Sequence, residues 1–317
     1  MTTGLFARVG LMLAIGAASV FAVDGPVERE LIGDNHFHCG FTLWKTEPGK
    51  HIAYGQLPGI TTNTAPVWGL SQWNSRFPLA AADGIRTLGG MVTWSNAAKS
   101  VTVAMPESQR ADICMAVNMG AEYAPQSRKA GEPWVHLLLE QEWKDPAPLA
   151  GMATAKFHIE ARLLRARRLP MENYSAGVHA AQFQVYFTVQ NRKTGSPGYG
   201  DLLWFLVPIY DDRDRFPKAF MEQDFGGTAK FIFTPDGKTF SNSSAHDGGW
   251  VVIDKELLPL MREALTTAWA RGFLKESKEF KDYYISGVYM GWELPGSFEV
   301  EMQVRNLSLK AVQKPRT

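Results

Sequence analysis

The chain is 317 residues long and carries 33 Lys and Arg against 32 Asp and Glu, a formal net charge of +1. So balanced a charge provides no field to gather nucleic acid or an anionic membrane surface, and argues against both as partners. Ten Trp and nine Tyr suit instead a neutral polar ligand with apolar faces, such as a sugar, although aromatic residues are equally at home in a β core.

In chain order, residues 1–22 read as a secretory signal. Arg8 supplies the positive charge, residues 9–21 are mostly apolar and small, and Val20 and Ala22 form the small-residue pattern before a cut. The expected mature chain, residues 23–317, is one β-sandwich domain, secreted or periplasmic, with no stable membrane insertion. Cys39 and Cys114 either close one long disulfide loop or stay as buried thiols. His36 and His38 read as sharing one face of a strand, a spacing that two metal ligands can use. The remaining ligands of such a site are not found, so no metal and no other cofactor is expected.

Residues 45–85 are broken by repeated Pro and Gly and read as loops, with Trp68 and Trp73 either sugar platforms or caps on the core. Regular strands are predicted over residues 90–94, 99–104 and 111–118. Three two-faced strands follow. In the first, His136, Leu138, Glu140 and Glu142 oppose Val135, Leu137 and Leu139; in the second, His158, Glu160 and Arg162 oppose Phe157, Ile159 and Ala161. In the third, Gln182, Gln184, Tyr186 and Thr188 oppose Phe183, Val185, Phe187 and Val189. Their apolar faces would form a core between two sheets, and their polar faces either meet solvent or line a concave groove.

Residues 201–206 begin with Asp201 and continue almost wholly apolar, as a central strand ended by Pro208. The acidic and basic residues of 210–215 read as pairing with one another. Leu257, Leu258, Met261, Leu265, Ala268 and Trp269 recur at helical spacing before Gly272, which predicts one helix near 258–271. The alternating run from Tyr283 to Leu309 reads as a hairpin through Pro295 and Gly296. On its first strand Ile285, Gly287, Tyr289, Gly291 and Glu293 would share a face, so that two glycines leave room beside one carboxylate.

The run Gly291, Trp292, Glu293, followed by Pro295-Gly296 and by Asn306-Leu307-Ser308-Leu309, resembles the C-terminal hairpin of glycoside hydrolase family 12. The order of parts agrees over the C-terminal half of the chain. This resemblance implies an all-β, two-sheet antiparallel jelly-roll sandwich of the concanavalin-like kind with one packed helix. It implies a glycosidase acting on a neutral β-glucan-type polysaccharide, with Glu293 as acid/base and Asp201, at the family's nucleophile position, as its partner. The family has Glu where this chain has Asp201, and a side chain one methylene shorter leaves retaining, inverting or absent hydrolysis open. Glu140, Glu142 and Glu160 are reserve carboxylates. The groove residues expected to touch a polysaccharide or oligosaccharide are Trp73, Glu142, His158, Glu160, Gln184, Tyr186, Tyr289 and Trp292. The alternatives are a carbohydrate-binding, lectin-like jelly roll without catalysis, and a polysaccharide lyase that uses a Tyr or His base.

Overall fold

The computed structural model describes Met1 and residues 28–314 apart from 62–63, 89–90, 104–110, 124–125 and 226, with the backbone alone for 84–88. The signal expected over residues 1–22 falls, Met1 aside, outside the described residues. In chain order the strands are β1 (Glu28–Glu30), β2 (Gly40–Trp44), β3 (Ala53–Pro58), β4 (Trp68–Ser71), β5 (Gly84–Leu88), β6 (Met91–Ser95), β7 (Lys99–Val103) and β8 (Ile113–Asn118). After the short helix α1 (Met119–Tyr123) come β9 (Val135–Pro148), β10 (Met152–Arg168), β11 (Gln182–Asn191), β12 (Leu202–Asp211), β13 (Phe220–Gln223), β14 (Phe231–Thr234) and β15 (Val251–Glu256). Helix α2 (Leu258–Ala270), β16 (Tyr283–Leu294) and β17 (Phe298–Gln313) follow.

These strands form two facing sheets. One has the order β15-β10-β17-β8-β7-β6-β5, with β1 added on β17; the other, nine-stranded, has the order β13-β14-β12-β11-β16-β9-β4-β2-β3. Because successive side chains of a strand point to opposite faces, each two-faced strand turns one face inward. Phe157 of β10 meets Phe187 of β11 edge-on at 5.3 Å between the sheets. The Trp292 indole, fully buried on β16, donates across the core to the Met115 carbonyl of β8 at 3.0 Å. The architecture is therefore the expected jelly-roll sandwich, with two departures from an all-antiparallel pattern: β2 pairs with β4, and β12 with β14, in parallel.

Several local expectations change. The 283–309 run is not a hairpin: β16 pairs with β11 and β9, and β17 with β10 and β8, so residues 295–297 arch from one sheet to the other. The reason is burial, since both strands carry an apolar face and the arch sets the two faces against each other. A bulge between Ile285 and Gly287 reverses the alternation, so Ile285 points into the core. Gly291 has φ +150°, and a Cβ there would lie 2.1 Å from the Leu137 carbonyl oxygen. This glycine serves a close approach of β16 to β9 rather than space for a ligand. Residues 34–39 form turns, with Phe37 at φ 60° and the Asp34 carboxylate capping the backbone N–H groups of His38 and Cys39. The His36 and His38 rings do lie 5.7 Å apart, but on turns and not on a strand, and His36 pairs with Asp112 at 3.0 Å. Pro208 does not end β12; it sits at a bulge opposite Gln184, where the ladder is already broken.

Both cysteines are free thiols. Asp211 and Arg213 pair through two hydrogen bonds of 2.7 and 2.6 Å, as expected of that charged stretch. Helix α2 starts with Pro259 in its first turn, ends before Gly272 at φ +83°, and buries Leu258, Met261, Ala264, Leu265 and Ala268. It packs against β10 of one sheet and β12 of the other, and its Trp269 ring lies 6.0 Å from that of Tyr283 on β16. Among the described residues no helix is long and apolar enough to cross a membrane.

Lys99 of β7 and Glu122 of α1 form an ion pair whose side chains are both fully buried. Lys99 also donates to Ser75 Oγ at 2.7 Å, and Glu122 accepts from Ser75 Oγ at 2.7 Å and from the Arg76 N–H at 2.7 Å. The pair thus holds the segment that carries Trp73. Burial pushes the Glu122 carboxyl up, but the Lys99 charge and these donors bring it below the usual carboxylate range. A carboxyl depressed in the folded state adds stability above its ordinary pKa of 4.5, and that stability is lost as the pH falls through the lowered value. Removing one member strands a buried charge. Lys99→Met is expected to cost about 3–5 kcal/mol in urea unfolding, and Lys99→Met combined with Glu122→Leu to recover much of that loss.

Candidate functional site

The site lies on the face of the nine-stranded sheet turned away from the core. Strands β11, β16 and β9 are neighbours there, and their register aligns side chains in rows. Tyr186, Tyr289 and Glu140 lie side by side in one row; Gln184, Gly291 and Leu138 form the next; Gln182, Glu293 and His136 form a third. Leu138, Tyr186, Leu206 and Tyr289 are buried although they face away from the core, because Trp73, Trp204 and Ile232 pack over them. The Tyr289 ring lies 5.3 Å from Trp204 and 6.5 Å from Trp73. This aromatic surface, separate from the main core, is the floor of the candidate cleft.

Glu293 stands at one end of the cleft with its side chain 20% exposed. The Tyr186 phenol donates a hydrogen bond to Glu293 Oε1, and His136 Nε2 lies 3.7 Å from the same oxygen. Burial pushes the Tyr186 phenol far up, the Glu293 charge and hydrogen bond add to this, and the charge of Asp224 adds further. His136 Nδ1 lies 3.0 Å from the Trp134 carbonyl, which can only accept, so the neutral ring carries its proton on Nδ1 and turns the Nε2 lone pair toward Glu293. Burial lowers the His136 pKa, opposed by the charge of Glu293. The carboxyl therefore has an imidazole and a phenol for neighbours.

A second carboxylate, Glu140, is buried farther along β9. It accepts from Ser71 Oγ at 2.8 Å and lies 3.1 Å from His51 Nε2. That hydrogen bond holds the His51 pKa up against the effect of burial, with the charges of Glu140 and Glu142 helping. Thr42, Trp44, His51, Val67, Glu140 and Glu142 line a hollow at this end of the face.

Of the residues expected at the site, Glu293, Tyr289, Tyr186, Gln184, Glu142 and Trp73 meet on this face. The others do not. Asp201 lies just beyond Leu202, which is level with Gln190 on β11, whereas Glu293 is level with Gln182. The eight positions between Gln182 and Gln190 span about 26 Å at roughly 3.3 Å per residue, far outside the ~5–9.5 Å that a glycosidase carboxyl pair needs. Asp201 instead pairs with Lys230 at 3.1 Å. Trp292 is in the core, on the opposite side of the strand from Glu293. His158 and Glu160 belong to β10, in the other sheet, so the polar face of β10 lies on the far side of the sandwich from that of β11. There Glu160 accepts from Arg305 at 2.9 and 2.7 Å and from Asn306 Nδ2 at 2.8 Å, which holds its carboxyl low against its partial burial. Trp68 is likewise core, while Trp73 packs over the cleft.

No family model matches the sequence, and no curated protein matches it. Solved structures similar to this chain include the native family 12 xyloglucanase from Bacillus licheniformis, at 9% identity over 76% of this chain and 99% of that chain, with a TM-score of 0.41. Another is the endoglucanase cel12A from Rhodothermus marinus, at 9% identity over 77% and 99%, with a TM-score of 0.39. A third is the family 11 xylanase from Neocallimastix patriciarum, at 10% identity over 72% and 94%, with a TM-score of 0.35. The resemblance is remote.

The two cleft histidines are shifted in opposite directions, which makes the geometry testable. His51 is raised, so its pairing with Glu140 adds stability that is complete below its ordinary pKa of 6.5 and is lost as the pH rises through the raised value. His136 is lowered from the same 6.5, so its contribution is present above that pH and falls away on acidification. Ring-proton titration by magnetic resonance is expected to give His51 a midpoint above 6.5 and His136 one below it.

Proposed function

We propose that this protein is a glycoside hydrolase that binds a neutral β-glucan-type polysaccharide along the cleft and cuts it with Glu293 as proton donor. The observation that carries the reading is the placement of Glu293, a carboxyl at the end of an aromatic floor, next to a phenol and an imidazole. Aromatic faces at Trp73 and Trp204, backed by Tyr289, suit the apolar faces of pyranose rings, and Gln184 supplies an amide for hydroxyl groups. Glu293 gives its proton to the glycosidic oxygen as the bond to the anomeric carbon breaks. The carboxylates of this face, Glu140, Glu142 and Glu293, count against a uronate polymer or a nucleic-acid backbone as ligand. They weigh likewise against a polysaccharide lyase, which needs a cation to neutralise an acidic sugar. The leader-like residues 1–22 support action outside the cytoplasm, by a single domain spanning residues 23–317.

A second reading is a binding protein without hydrolysis. What favours it is that the residue level with Glu293 on β9 is His136 and not a second carboxylate.

Glu293→Gln keeps the shape of the side chain and removes the transferable proton. It is expected to lower turnover on soluble β-glucans by about 10²–10⁴-fold with oligosaccharide affinity retained. In titration calorimetry Tyr289→Ala and Gln184→Ala are expected to weaken oligosaccharide binding. Binding without any turnover by the unaltered protein would decide for the second reading.

A further inference from the structure

On the hydrolytic reading above, Glu293 has two carboxyl oxygens, and their surroundings differ. Oε1 accepts a hydrogen bond from the Tyr186 phenol, while His136 Nε2, 3.7 Å from the same oxygen, is beyond hydrogen-bond reach. Oε2 has no partner among the described residues. The phenol comes from some way along the strands. Tyr186 is level with Tyr289, and Glu293 with Gln182, so the two rows stand four positions apart, about 13 Å at roughly 3.3 Å per residue. The two side chains meet because both lie along the sheet, and on that face the residue of β16 between Tyr289 and Glu293 is Gly291, which has no side chain to intervene. The Tyr186 ring is held in this course. It is 8% exposed, packs with Leu138, Leu206 and Tyr289, and meets Trp204 edge-on at 6.3 Å. Swinging it elsewhere would leave a buried hydroxyl without a partner. On the other side His136 bounds the carboxyl, its ring set between Trp73 at 5.3 Å and Trp134 at 5.8 Å.

We propose that Tyr186 is a positioning residue that ties down Oε1 of Glu293 and thereby assigns the transferable proton to Oε2. In the acid form Oε1 is the carbonyl oxygen and accepts from the phenol, and Oε2 carries the proton. As that proton passes to the glycosidic oxygen, the bond from this oxygen to the anomeric carbon breaks with its electron pair on the oxygen. A water supplies the oxygen that bonds to the anomeric carbon, and its released proton returns through solvent to Oε2, so one water is consumed per bond cut. Tyr186 keeps its own proton throughout. Its hydrogen bond to Oε1 gains strength as the carboxyl becomes a carboxylate, because a bond to an ionised acceptor is roughly twice as strong as one to a neutral acceptor. An interaction worth more after proton transfer than before it lowers the barrier, and not merely the energy of the bound substrate.

The test uses the full-length protein and Tyr186→Phe, which keeps the ring and removes only the hydroxyl. On soluble neutral β-glucans kcat is expected to fall about 10–10²-fold, the worth of one hydrogen bond to a charged group, with KM and calorimetric oligosaccharide affinity retained. On dinitrophenyl β-glycosides of the same oligosaccharides the leaving group departs without needing a proton, and the variant is expected to match the unaltered protein within about twofold. A merely structural role for Tyr186 would lower turnover of both substrates alike. An equal loss on both, a fall in affinity that accounts for the loss, or normal turnover of β-glucan by Tyr186→Phe overturns the inference. Glu293→Gln separates that result from failure of the hydrolytic reading. If it is inactive on β-glucan yet active on the dinitrophenyl glycosides, Glu293 stands as the acid whatever Tyr186→Phe does. If the unaltered protein binds but turns over neither substrate, the reading and the inference fall together.

Discussion

The site depends on an alternation between two neighbouring residues. Trp292 points inward and donates its indole proton to a carbonyl of the opposite sheet, and Glu293, the next residue, must therefore point outward. A buried indole with its one donor satisfied tolerates little displacement, because moving it leaves both a cavity and an unpaired polar group. The position of the Glu293 carboxyl is thereby set from inside the sandwich. The same alternation carries Met290 and Val288 into the core and Tyr289 onto the cleft floor, so the aromatic surface and the carboxyl share one mechanical support.

The rest of the cleft is built by register between strands remote in sequence. Gln182, Glu293 and His136 form one row only because β11, β16 and β9 are adjacent, and the segment carrying Trp73 is held there by a buried ion pair that begins on the other sheet. Mutual support of this kind spreads the cost of the site across the fold. Buried residues such as Lys99 hold residues that face the candidate cleft.

The two-faced strands were legible in the sequence because a period of two depends only on local residue order. So was α2, whose apolar spacing and terminal Gly272 mark its length. What single-strand patterns could not convey is which strand lies beside which. The polar face of β10 reads just like that of β11, yet His158 and Glu160 belong to the other side of the molecule. Trp292 and Tyr289 are both aromatic residues near Glu293, and the bulge at Ile285–Gly287 falls where no composition announces it. Asp201 was drawn in by its place in the chain order, and the distance along β11 separates it from Glu293. Glu140 and His136 were visible as members of a polar face; that they belong to the cleft required the register. Trp204 sits in an almost wholly apolar run whose facing cannot be read from sequence.

The arch at residues 295–297 has a consequence for how the chain folds. It sends β16 into the middle of one sheet, between β11 and β9, and β17 into the middle of the other, between β10 and β8. Both strands come later in the chain than all of these neighbours, so each sheet stays divided, with exposed pairing edges, until residues 283–313 are in place. Nearly every pairing that closes the molecule spans a long stretch of sequence, a topology that folds slowly because loop closure precedes any gain from contact. A chain interrupted before residue 283 would present four unpaired central edges at once, and its fate would be association with other chains, not a smaller sandwich.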